Sequence, residues 1–292
     1  MNLFIQQLIN GLSVGSIYAL IAIGYTLVYG IIKLINFAHG DIMMMGAYFA
    51  FLGVTFLNLP FILALIFSMA MAAVLGLLIE KIAYKPLRNA PRISALITAI
   101  GISLFLQNLA LVIFGANPKV MPNVVNKRPL DILGIQVSSV TLITLGLALV
   151  CMLALDFFIK NTKTGKAMRA VSQDKEASVI MGINVDRTIS ITFAIGSALG
   201  ALGGVLYAVA YTQIFPTLGA MPGLKAFIAA VLGGIGIIPG AMLGGFIIGM
   251  IETLVKSYFY SQWSDAIVFG ILILVILFKP VGILGKDERE KV

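Results

Sequence analysis

Hydrophobic residues along this chain come in continuous blocks rather than in alternation. Eight blocks have the length and apolarity of membrane-spanning helices: 5–29, 41–56, 61–81, 93–114, 140–158, 188–212, 239–255 and 266–278. A transmembrane β-barrel would instead show short alternating segments. One further apolar segment, 224–235, is too short to cross a bilayer at about 1.5 Å per residue. The predicted class is an all-α polytopic membrane protein, a single transmembrane domain over 1–292. It has about eight spans plus short broken or re-entrant helices.

The interruptions are as informative as the blocks. Gly219, Pro222 and Gly223 precede the short segment, and Gly233, Gly234, Gly236 and Pro239 follow it. The first half has a counterpart between Lys33 and Gly46, where Asn36, His39, Gly40 and Asp41 interrupt an apolar region. Irregular backbone is tolerated at membrane depth only when it is buried in protein or lines a wet cavity. Short Gly/Pro-broken segments in both halves of a chain point to a transport site near the midplane. The candidate substrate path is therefore Asn36, His39, Gly40, Asp41, Gly233 and Gly234. The arrangement is compatible with a diverged inverted repeat, although no residue-level identity between the halves is visible. The turn at 36–41 has two compatible readings. Asp41 can cap the second span by accepting backbone N–H bonds, or the turn lines the path and offers backbone groups to a ligand. Glycines four apart, at Gly11/Gly15, Gly196/Gly200, Gly240/Gly244 and Gly245/Gly249, predict close helix packing.

Charge orients the chain. The most basic stretch is 160–187, with Lys160, Lys163, Lys166, Arg169, Lys175 and Arg187. Basic loops stay in the cytoplasm, and the same rule places 81–92 there, along with a C-terminus carrying Lys279, Lys286, Arg289 and Lys291. The stretch 115–138 then faces outside despite Lys119, Lys127 and Arg128, and Pro118, Pro122 and Pro129 predict that it is irregular. The N-terminus falls outside, and it lacks the basic region and cleavage site of a signal peptide. An internal C-terminus needs three crossings after 188–212, so 224–235 is expected to cross as part of a broken helix. Within 160–187, Lys166 to Met181 contains no Pro or Gly. Ala167, Ala170, Val171, Ala177, Ile180 and Met181 recur at helical spacing, which predicts one amphipathic helix lying flat.

Composition fits this class. Of 292 residues 60% are hydrophobic and 11% charged, against about 25% charged in soluble domains. The net charge of +8 sits in short loops, where it meets lipid headgroups rather than nucleic acid. One cysteine, Cys151, allows no internal disulfide, and one histidine, His39, excludes a His-rich metal site. No phosphate-binding loop is present, since Gly165-Lys166 and Gly285-Lys286 are followed by Ala167 and Asp287 rather than Ser or Thr. No Ser/His/Asp arrangement suggests an enzyme. Asp41, Glu80 and Glu252 lie near span ends and are expected to be interfacial rather than a proton relay. A pore with no motor and no relay must be driven by another subunit.

The stretch Thr164-Gly165-Lys166-Ala167-Met168-Arg169-Ala170, followed by Glu176-Ala177-Ser178 and Gly182-Ile183, resembles the cytoplasmic coupling loop of ABC importer permeases. The later Ile-x-Leu-Pro of that loop is missing, and Thr192-Phe193-Ala194-Ile195 stands in its place. That departure is similar to the branched-chain amino acid permeases of the LivH type. Asn36-Phe37-Ala38-His39-Gly40-Asp41, Val231-Leu232-Gly233-Gly234-Ile235-Gly236 and Lys279-Pro280-Val281-Gly282-Ile283-Leu284-Gly285 extend the resemblance over nearly the whole chain. It implies a permease of the bacterial inner membrane that imports leucine, isoleucine and valine without cofactor or enzymatic activity of its own. It implies as partners a homologous second permease, two ATPase subunits and a periplasmic or lipid-anchored substrate-binding protein. It also implies ATPase-coupling roles for Gly165, Ala167, Arg169, Ala170, Glu176, Ala177 and Gly182. The alternatives are a related urea or short-amide importer, or a secondary transporter working without ATPases.

Overall fold

The computed structural model describes residues 2–88, 90–122, 125, 129–132 and 135–285. Its helices are α1 (Asn2–Ile32), α2 (His39–Thr55), α3 (Phe61–Ile79), α4 (Arg92–Phe114), α5 (Ser139–Asn161), α6 (Lys163–Gln173), α7 (Lys175–Ile180), α8 (Val185–Tyr211), α9 (Ala220–Gly233), α10 (Ile238–Tyr258) and α11 (Trp263–Phe278). Four short strands complete it: β1 (Lys119–Val120), β2 (Pro129–Ile132), β3 (Ile135–Ser138) and β4 (Gln213–Ile214). Each of the eight predicted spans coincides with one helix. Six of the helices are long and apolar enough to cross a membrane unaided. The remaining apolar helices are shorter: α2 has 17 residues, α9 has 14 and α11 has 16. The chain is a multi-pass membrane protein.

Glycine sets the packing. α1 and α10 run antiparallel in close contact, with Gly11 against Gly249 and Met250, and Gly15 against Gly245 and Phe246. α1 and α8 also run antiparallel, with Gly196 facing Gly24 and Val28, and Gly203 facing Ile21. A side chain on any of these glycines would enter the facing helix, so the four-residue spacings serve contacts inside the bundle.

The two halves pack as an inverted pair. α1 contacts α10 and α9, while α8 contacts α3 and α2; α2 packs on α3 and α4, while α9 packs on α10 and α11. α1 and α8 end in the same way, on Lys33 and Thr212 in the left-handed conformation, each with φ 59°. Gly40 follows Lys33 by the same interval as Gly219 follows Thr212. These two glycines pack against each other, Gly40 on the Gly219 carbonyl and Gly219 on the Gly40 carbonyl. The N-terminal ends of the shorter helices α2 and α9 therefore meet at the centre of the molecule.

The two ends of the bundle differ. At one end the basic loops converge: Lys85 pairs with Asp186 at 2.7 Å, and Arg88 bridges Asp186 and Glu80. The segment after α11 docks at the end of α9, where Ile283 N–H donates to the Leu232 carbonyl at 2.8 Å and Leu284 N–H to the Gly233 carbonyl at 3.1 Å. α9 and the segment before it thus lead from β4, at the other end of the bundle, towards the basic end, the course expected of the extra crossing. At the other end β1 pairs antiparallel with β4, and β2 with β3. The stretch expected to be irregular is thus partly stranded. Its prolines fit because Pro118 and Pro122 flank β1, and Pro129 opens β2. Lys127, Arg128, Lys286, Arg289 and Lys291 lie outside the described residues.

Candidate functional site

The expected single helix over 166–181 is two helices. Thr162 caps α6, its Oγ1 accepting the Gly165 N–H at 3.0 Å. Asp174 breaks the run: at φ −150° it leaves the helical region, and its Oδ1 accepts the Ala177 N–H at 3.0 Å to start α7. α6 buries Gly165, Met168 and Val171. Gly165 lies tight against the backbone of Phe158 and Ile159, so it seats α6 on α5 and is not open to a partner. Ala167 and Ala170 are half-buried, while Arg169, Glu176, Ala177 and Gly182 are exposed. Arg169 and Glu176 belong to different helices, and Arg169 Nη2 donates to the Lys160 carbonyl at 3.1 Å.

α7 closes at Gly182, with φ +78°. Gly182 N–H donates to the Val179 carbonyl and Ile183 N–H to the Ser178 carbonyl, each at 3.0 Å. This is the doubly bonded helix end that glycine favours. The break at Asp174 turns Val179, Ile180 and Met181 outward, 61%, 85% and 80% exposed. Periodicity had placed Ile180 and Met181 on the buried face of one long helix. Among the described residues they form an exposed apolar tip beside the basic loops, because a capping aspartate interrupts the run.

The turn at 36–41 separates into functions. Asn36, not Asp41, holds it: Asn36 Oδ1 accepts the Ala38 N–H at 3.1 Å and the Tyr84 hydroxyl at 2.9 Å. α2 has no side-chain cap. His39 is buried against Tyr25, with ring centroids 4.5 Å apart, and against Gly24 and Gly200. Gly40 and Asp41 line a cavity of about 340 Å³ between the first turns of α2 and α9 and one face of α4. Gly233 and Gly234 lie elsewhere, at the tight turn from α9 to α10, packed on Gly240 and on Val281 and Gly285. The six candidate path residues therefore do not form one site; two of them line the central cavity.

The three carboxylates expected near the interface are all buried: Asp41 at 2% exposure, Glu80 at 1% and Glu252 at 2%. Glu80 sits where α3 passes into a π-turn (Glu80–Tyr84), and it pairs with Arg88 and accepts the Ser190 hydroxyl at 2.7 Å. Glu252 accepts from Lys225 at 2.7 Å, Lys256 at 2.5 Å and the Tyr18 hydroxyl at 2.8 Å. Lys225 also reaches Asp265 at 2.7 Å. The signal was available: Lys225 is a charge inside a 14-residue apolar helix, where charges are rare unless paired. Asp41 Oδ1 accepts from Gln107 Nε2 at 3.0 Å, and Ser103 lines the same cavity.

An inverted helical bundle with glycine-broken half-helices meeting at its centre, and a capped hairpin of helices at its basic end, defines a membrane permease. The chain belongs to the family described as the permease component of branched-chain amino acid transport systems, which it matches over residues 7–277. It is 43% identical to the high-affinity branched-chain amino acid transport system permease protein BraD of Pseudomonas aeruginosa, covering 99% of this chain and 98% of that one. It is 42% identical, with the same coverage, to the corresponding permease protein LivH of Escherichia coli. A probable branched-chain amino acid transport permease LivH of Methanocaldococcus jannaschii is 29% identical over 94% of this chain and 90% of its own. No solved structure matches the chain.

Proposed function

We propose that this protein is the membrane-spanning permease of an ATP-binding-cassette importer for leucine, isoleucine and valine in a bacterial plasma membrane. It works with a homologous second permease, two ATPase subunits and a substrate-binding protein that delivers from outside. ATP is hydrolysed by the partners, and this chain supplies the path and the contact that moves it. The observation that carries the reading is the α6–α7 hairpin. It is seated on the bundle through Gly165, Met168 and Val171, and it presents an apolar tip at Val179–Met181. Such a tip fits a groove in a partner protein, and in the proposed docking Arg169, Glu176, Ala177 and Gly182 lie at its margin. The central cavity beside Gly40 and Asp41 is the proposed path, with α4 as its outer wall. α4 packs in the bundle chiefly against α2, which leaves its other face for the second permease. The test is uptake of radiolabelled leucine into vesicles holding all the subunits. ATP-dependent uptake that disappears when the ATPases are omitted is expected. Uptake that persists without them would overturn the reading in favour of a secondary transporter.

A further inference from the structure

We infer that the central cavity is a binding station for the free amino acid, in which Asp41 takes the ammonium group. The inference rests on the importer reading above. Among the described residues three carboxylates are buried at 1–2% exposure, and two of them have cations: Glu80 has Arg88, and Glu252 has Lys225 and Lys256. Among the described residues Asp41 has none; the partner of its carboxylate is the neutral amide of Gln107 at 3.0 Å. A carboxylate at this depth without a counter-charge is costly. It has about four acceptor positions, and this one donor leaves the remainder free beside the cavity that Asp41 lines. Ser103 and Gln107 are one turn apart on α4, with Gln107 Nε2 3.3 Å from Ser103 Oγ, so the carboxylate is held on a fixed helix face.

The rest of the lining suits the rest of a zwitterion. The first turns of α2 and α9 open on the same space at Gly40, Gly219 and Gly223. Helix N-terminal ends favour anions through their dipoles, while the bare faces of these three glycines pack on one another and hold the two ends together. Leu96, Ile100, Leu104 and Leu224 form an apolar wall. A volume of about 340 Å³ is at the low end of small-molecule sites, roughly 300–1,000 Å³. One carboxylate, two helix ends and an aliphatic wall together match a single α-amino acid with an apolar side chain. They do not match a neutral amide, which would leave Asp41 without a cation.

The experiment uses the complete importer in vesicles and reads the leucine carried per ATP hydrolysed, together with the KM for uptake. With Asp41→Asn the leucine carried per ATP should fall at least tenfold, and Asp41→Glu should recover part of the loss. Leu104→Trp, which enlarges a residue of the apolar wall, should also lower that ratio at least tenfold, and more for leucine than for valine. Unchanged ratios in Asp41→Asn or in Leu104→Trp would overturn the inference. So would loss of the second permease from the Asp41→Asn complex, because Asp41 would then be pairing with a cation across the subunit boundary. Should the unmodified complex carry no leucine at all, the importer reading itself fails, a result distinct from any outcome with the variants.

Discussion

Replacing Lys225 by methionine removes the cation that joins α9 to α10 and α11 while keeping a side chain of similar length. Lys225 Nζ lies 2.7 Å from Glu252 and 2.7 Å from Asp265, and the Lys225 and Glu252 side chains are 6% and 3% exposed. Removing one member of a buried pair costs about 3–5 kcal/mol, because the other charge is left in a poor solvent. Glu252 keeps Lys256 at 2.5 Å and Tyr18 at 2.8 Å, so the low end, about 3 kcal/mol, is expected. At about 2 °C per kcal/mol for a long chain, the unfolding midpoint in detergent should drop by about 6 °C. Removing both charges with Lys225→Met and Glu252→Met leaves two charges at 45% and 47% exposure, Lys256 and Asp265, plus the Tyr18 hydroxyl. The double variant should therefore lose much less than the sum of the single losses, by more than 1 kcal/mol of coupling. Lys225 stands two residues beyond Gly223 at the cavity, so Lys225→Met should also raise the KM for uptake. A shift under about 2 °C for Lys225→Met, or strict additivity in the double variant, would refute a coupled buried pair holding α9.

Ile180→Ser with Met181→Ser removes two exposed apolar side chains, each worth about 1.5–3 kcal/mol if buried by a partner. Co-purification of the ATPases should weaken by at least tenfold while the permease still inserts. Gly182→Val forces a β-branched residue to adopt φ +78°, which costs about 1–2 kcal/mol and should reduce ATP-driven uptake without changing ligand binding by the separate binding protein. Gly40→Leu drives a side chain into the Gly219 carbonyl and should cut uptake at least tenfold in a complex that still assembles. In a Cys151→Ser background, cysteines at Lys85 and Lys175 should react with an impermeant thiol reagent only from the cytoplasmic side, and one at Asn117 only from outside; labelling of position 175 from outside would remove the coupling role.

Hydrophobic blocks made the spans legible, because a bilayer demands long apolar helices and little else produces them. The Gly/Pro punctuation made α9 legible as a short apolar helix between broken segments. What sequence could not supply was contact between distant helices. Asp41 reads as an N-cap from its position alone, and only its bond with Gln107, on α4, shows its carboxylate turned away from the α2 backbone. Glu252 reads as interfacial because it is near a helix end, yet Lys225 arrives from α9 and Tyr18 from α1 to bury it. Asp174 lies inside an apparently regular helical run, and its capping bond with Ala177 decides that Ile180 and Met181 face out. Beyond the matched pair Gly40 and Gly219, the inverted arrangement shows little residue-level identity because it is maintained by backbone geometry, with left-handed ends at Lys33 and Thr212.

The proposed coupling hairpin and the proposed substrate station share one rigid connection. α7 ends at Gly182, and Asn184 immediately caps α8, accepting the Arg187 N–H at 2.9 Å. Asp186 in the first turn of α8 is held by Lys85 and Arg88, and Ser190 by Glu80, so the end of α3 is bound to the same helix. At 27 residues α8 is about 40 Å long. Partway along, Gly200 and Gly204 receive His39 and Met43 of α2, and its far end leads through Thr212 and β4 to Gly219 at the start of α9. Both half-helices that open on the cavity therefore lean on, or hang from, the helix that begins at the coupling hairpin. The glycines at these contacts leave no side chains to absorb a displacement, and close-packed interiors transmit strain rather than dissipate it. A tilt imposed on α8 by a docked ATPase must then move the first turns of α2 and α9 against α4. Asp41 belongs to the first turn of α2, so such a movement would shift its carboxylate relative to Gln107 on α4 and to the first turn of α9. A zwitterion held by both sides would be released by such a change, and that links a motion at α7 to the fate of a ligand near Gly40.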